Sequence, residues 1–138
     1  MSWKEKMEEW GGGDIAFLSE DGEALIFIVV ADPALLEGKY KGRPSERIGC
    51  PVITQDGYVL FVAGKRIARR LSRFEDQFET AAFVLVRRGE HNDIETTYDL
   101  TVCEDTEITA KLFAIKETDF DPARVTDSIT AAQEVMNG

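Results

Sequence analysis

The stretch GKRIARRLSRFEDQF, residues 64–78, has the period of a helix in a neighbourhood of strands. Ile67, Leu71, Phe74 and Phe78 recur at i, i+4, i+7 and i+11, the apolar stripe of a helix that faces a core. Lys65, Arg66, Arg69, Arg70 and Arg73 fill its other faces, and the spacing predicts a helix over 64–77. On either side the period drops to two. Ile15–Ser19, Ala24–Val30, Val52–Thr54 and Tyr58–Ala63 precede the helix as short strands, and Ala82–Arg88, Thr97–Cys103 and Lys111–Ile115 follow it. Gln55-Asp56-Gly57 is a tight hairpin signal, and Asp32-Pro33 closes the second strand because proline offers no ladder donor. Glu37–Pro51 holds three glycines and two prolines and reads as a long irregular loop carrying four basic residues. One helix set among five to seven short antiparallel strands leads to a definite expectation. The fold should be mainly β with short helices: an OB-like antiparallel β-barrel, with the helix between strands 3 and 4 and short N- and C-terminal helices.

The two ends complete a single domain over residues 1–138. Ser2 and Glu5 form a capping box, and Trp3, Met7 and Trp10 share one face of a short helix that ends at Gly11-Gly12-Gly13. Trp3 and Trp10 either dock on their own domain or provide a surface for self-association. Residues 1–13 are thus a helix and glycine hinge, 14–116 the barrel, and 117–138 an acidic C-terminal segment. In that segment Asp121-Pro122 reads as an N-cap with proline at the first helical position, and Val125, Ile129, Ala132 and Met136 continue a helical face.

Several functional classes find no support in the residues. The longest apolar run, Ala24–Ala31, is far short of the roughly 20 residues that cross a bilayer, so no membrane partner is expected. The first ten residues lack an apolar signal region, and Cys50 and Cys103 suit free thiols in a reducing cytoplasm. A single histidine, His91, leaves no Ser-His-Asp or Cys-His arrangement and no four-ligand zinc site. Glu104, Asp105 and Glu107 read as a solvated acidic turn rather than a cation site. No enzymatic activity, cofactor or metal is therefore expected.

Charge carries the functional signal. Residues 1–38 have a net charge of −7, residues 39–88 of +6 and residues 89–138 of −9, within a chain of −10. A basic centre between acidic ends can hold a polyanion while the ends repel excess chain. Recognition of single-stranded DNA also needs aromatic faces on which bases stack. The basic block interleaves Tyr40, Tyr58 and Phe61 with its cations. In Tyr58–Ala63, alternate residues take opposite faces, so one of Tyr58 and Phe61 should point away from the barrel core. The candidate nucleic-acid-binding residues are Lys39, Tyr40, Lys41, Arg43, Arg47, Tyr58, Phe61, Lys65, Arg66, Arg69, Arg70, Arg73, Arg87 and Arg88.

The segment Ala82–Gly89, ending Arg-Arg-Gly, followed by Thr96-Thr97-Tyr98, resembles the strand–turn–strand of phage single-stranded DNA-binding (helix-destabilising) proteins. Asp21-Gly22-Glu23, opening a strand that ends at Asp32-Pro33, extends the likeness, which spans roughly residues 15 to 103. The resemblance implies an OB-fold that coats single-stranded DNA during phage replication or recombination in the host cytoplasm. It also implies an acidic C-terminal region that regulates binding and recruits replication or recombination proteins. Some members carry a Cys/His zinc site in the long loop; here only Cys50 is present, and no zinc is expected. The alternative reading is a protein-binding module of a phage or mobile element, using the same barrel to inhibit a host factor.

Overall fold

The computed structural model describes residues 15–18, 21–40, 42–89 and 95–137. The strands are β1 (Ile15–Ala16), β2 (Ala24–Val29), β3 (Ala34–Tyr40), β4 (Arg43–Thr54), β5 (Gly57–Ala63), β6 (Phe83–Arg88) and β7 (Thr97–Val102). Helix α1 (Lys65–Ser72) and a short 3-10 turn (Glu75–Gln77) separate β5 from β6, and α2 (Thr106–Thr118) and α3 (Ala123–Asn137) follow β7. The helix expected over Ser2–Trp10 and the residue His91 lie outside the described residues.

Alternation along the strands buries both faces of one seven-stranded sheet. Phe27, Cys50, Val52, Phe61 and Phe83 pack with Ile67 and Leu71 of α1. Their neighbours in sequence point the other way: Ile28, Ile53 and Tyr58 meet Leu112 of α2. Leu36, Leu60 and Val62 meet Ala132 of α3. Each such large side chain taken fully out of water contributes about 1.5–3 kcal/mol.

The sheet runs β1-β5-β4-β2-β6-β7, with β3 added beside β4. It is mixed, because β1 pairs parallel to β5 while the other described pairs are antiparallel. It is also open: β7 and β1 end the path without pairing, so the expected closed antiparallel barrel does not form among the described residues. Two interactions occupy the edges at which closure would occur. β1 takes the outer edge of β5, and Arg70 Nη1 donates to the Tyr98 carbonyl of β7 at 2.6 Å.

Glu37–Pro51 is not a loop. β3 and the first half of β4 form a hairpin with Tyr40 opposite Arg43, and Gly42 takes φ +77° in its turn. The glycines and prolines that argued against strand structure each have a place in it. A Cβ on Gly38 would collide with the Met136 carbonyl, so the missing side chain lets α3 lie against β3. Pro51 stands where β4 changes partner, between Gly49, paired with β3, and Val52, paired with β2. Its carbonyl accepts from Val30 N at 3.1 Å, which ties the junction to the end of β2.

Lys111–Ile115 is helix, not strand. Asp105 Oδ1 accepts from Glu107 N and Ile108 N, both at 3.0 Å, and starts α2 as its N-cap. The five-residue window alone does not separate a buried strand from a buried helix. The C-terminal segment shares the core instead of standing apart from it. Ser128 Oγ donates to Val125 O at 2.9 Å and lies 2.8 Å from the Tyr58 hydroxyl, whose bond it can accept. Phe120 stacks on Tyr58 with centroids 5.5 Å apart. The Gln133 side-chain amide bonds both the N–H and the carbonyl of Glu37, acting as a substitute strand on the free edge of β3.

Candidate nucleic-acid interface

Helix α1 sets out most of the candidate cations. With Ile67 and Leu71 buried, Arg66, Arg69, Arg70 and Arg73 fall at i, i+3, i+4 and i+7, one strip of helix surface. Arg66, Arg69 and Arg73 are exposed and Arg70 is half-buried. The helix spends little on its own stability: Gly64 caps it without a side-chain bond, and its first turn has no acidic residue. Arg66–Arg70 and Arg69–Arg73 are like-charge i, i+4 pairs, each costing about 0.2–0.5 kcal/mol. None of the four arginines makes an ion pair among the described residues.

At its N-terminal end this strip borders a cleft of about 260 Å³ between α1, β4 and β7. Arg47, Arg66 and Arg70 line it together with Thr96, Thr97 and Tyr98, over Gly64 and Ile67. Among the described residues no carboxylate lines it. Tyr98 is held from two sides. Arg87 Nη1 donates to its hydroxyl at 2.7 Å, the Arg87 guanidinium lies 5.7 Å from its ring centroid, and Arg70 binds its carbonyl.

The remaining candidates divide by burial and pairing. Lys39 and Arg43 are exposed near the tip of the β3–β4 hairpin. Tyr40 ends β3 with its side chain outside the described residues, as is the whole of Lys41. Lys65 pairs with Glu46 at 2.9 Å and Arg88 with Asp99 at 3.0 Å, both at the surface, where such pairs contribute about 0–1 kcal/mol and can be exchanged for other anions.

Three candidates are core residues instead. Tyr58 and Phe61 are 3% and 2% exposed, because helices cover both faces of β5, and neither offers a ring to a base. The expectation that one of them faces outward required a barrel with one solvated side. Arg87 is also buried: Nε donates to Gly89 O at 2.8 Å, and Nη1 and Nη2 reach Leu18 O and Thr96 Oγ1, both at 3.3 Å. It organises the β6–β7 end and holds Tyr98; it does not face a ligand.

Tyr98, Thr96 and Thr97 line the cleft but are absent from the candidate set. Their signal was in the register, since Tyr98 opposes Arg87 across the β6–β7 hairpin.

A larger cavity of about 320 Å³ lies between α1 and the β2–β3 break at Ala31–Pro33. Asp32, Glu75 and Glu79 on its lining repel a polyanion. Burial pushes the Cys50 thiol in its wall up to about 11, so the thiol stays protonated and unreactive at neutral pH. Among the described residues no three His, Cys, Asp or Glu side chains gather as metal ligands, and no helix is long and apolar enough to cross a membrane. Compared with known protein families, curated proteins and solved structures, the chain matches none.

Proposed function

We propose that this chain is a non-enzymatic single-stranded DNA-binding protein that holds the phosphate backbone on the arginine strip of α1 and on the β3–β4 hairpin. The observation that carries the reading is the strip itself. Arg66, Arg69 and Arg70 of the eight-residue helix and Arg73 at its C-cap share one face, with no ion pair among the described residues, in a chain whose net charge is −10. A helix that accepts like-charge repulsion without neutralising it is arranged for an anionic partner.

The strand order supports the same reading. If β2 and β3 are taken as one strand broken at Asp32-Pro33, five strands and a helix follow in the order of an OB-fold, without the closing pair. In that frame the β3–β4 turn is the loop between strands 1 and 2, one of the loops with which OB-folds hold oligonucleotides, and Lys39 and Arg43 flank it. The outer face of β4 and β5, the usual OB platform, is covered here by α3, which moves the binding surface to the α1 side. The likeness to phage single-stranded DNA-binding proteins would place this activity in phage replication or recombination.

Fluorescence anisotropy with labelled oligo-dT and a duplex of equal length tests the proposal. The single strand should bind more tightly, and raising salt should weaken it. Equal preference for duplex, or binding indifferent to salt, would refute it.

A further inference from the structure

We infer that the cleft of Arg47, Arg66 and Arg70 is a separate subsite for a phosphomonoester, the terminal phosphate of a strand or of a free nucleotide. The inference deepens the single-stranded DNA reading and rests on it for the strand-end source; the cleft's chemistry stands on its own geometry. A backbone track spreads its cations so that each meets one diester of charge −1. Here three guanidinium side chains from two elements line one concavity, with no carboxylate lining it among the described residues. A monoester, at about −1.5 to −2 near neutral pH and with three terminal oxygens, matches that convergence better than a diester does. The volume agrees. At about 260 Å³ the cleft lies below the range of pockets that enclose drug-sized molecules, and it suits one charged head group rather than a run of chain.

The support for the cleft is built in. Arg47 Nη1 lies 3.6 Å from the position a Cβ on Gly64 would take, so its guanidinium sits beside the N-terminus of α1. Arg70 is tethered through one nitrogen to Tyr98 O at 2.6 Å, which fixes its guanidinium while its other donors remain for a ligand. Thr97 adds a hydroxyl at the rim. The subsite lies between α1 and β7, at an end of the strand path where the sheet stays open.

The test compares oligo-dT of one length carrying a 5′-phosphate, a 3′-phosphate or neither, by anisotropy at fixed salt. One phosphorylated form should bind about tenfold more tightly than the bare strand, the size of a charge-assisted hydrogen bond gained. Arg66→Gln should abolish that preference. Arg43→Gln, on the hairpin, should weaken all three strands alike and leave the preference intact. Equal binding of the three strands by the unaltered protein overturns the subsite while leaving the strand-binding proposal standing. If no strand binds, thymidine 5′-monophosphate against thymidine, followed by amide NMR shifts, still decides it. Shifts at Gly64, Arg66 and Thr97 with the nucleotide alone support the subsite, and their absence overturns it.

Discussion

Replacing Arg66, Arg69 and Arg73 together by glutamine removes three positive charges from α1 and leaves its core residues in place. Arginine and glutamine have similar helix propensities, and the substitution relieves both like-charge i, i+4 pairs. Stability should therefore stay level or rise slightly, which separates the charge effect from damage to the fold. On single strands each phosphate contact adds about 0.7 to the slope of log K against log salt. A parent protein with about four contacts should show a slope near −3, and the triple variant one near −1. Between 50 and 200 mM salt the parent should then lose roughly 50-fold in affinity and the variant roughly threefold. Anisotropy titrations with labelled oligo-dT at four or five salt concentrations give both slopes. A variant with an unchanged thermal midpoint and the parental slope would mean that phosphates do not lie on α1, and the proposal would fall.

Deleting residues 117–138 strips α3 from Leu36, Leu60 and Val62 and leaves Tyr58 without Ser128, so circular dichroism should record loss of cooperative unfolding. A folded truncation that binds single strands more tightly would instead make the segment an internal competitor. Tyr58→Phe removes one buried hydrogen bond and should cost about 1 kcal/mol in urea denaturation without changing DNA affinity; an affinity loss without a stability loss would contradict its burial. For Cys50, raised from 9.0 to about 11, the folded state keeps a proton that the unfolded state gives up. Its contribution is complete below pH 9 and falls by up to about 1.4 kcal/mol per pH unit as pH rises to 11. The difference in stability between the parent and Cys50→Ala should shrink over that window, and a pH-independent difference would show that the thiol is not desolvated.

Wherever local period and turn chemistry agreed, the residues themselves were enough. Ile67 and Leu71 placed α1, Gln55-Asp56-Gly57 placed the β4–β5 hairpin, and Asp121 capped α3 through the Ala123 N–H at 2.9 Å. The arginine strip was equally legible, because a helical face follows from spacing alone. The misreadings were of residues whose reason lies far away in the chain. Gly38 and Pro51 looked like loop residues, yet one makes room for Met136 and the other sits where β4 exchanges neighbours. The cleft could not be read in the sequence, since Arg47, Arg66 and Tyr98 are joined only by the packing of α1 between β4 and β7. Tyr58, Phe61 and Arg87 carried the right chemistry for a ligand, but helices on both faces of the sheet took the rings and the β6–β7 end took the guanidinium. Sequence sets which side chains share a face, through the fixed geometry of helix and strand. Which faces meet water is decided by the elements that pack over them, and over Tyr58 that cover includes Ser128, 70 residues further along the chain.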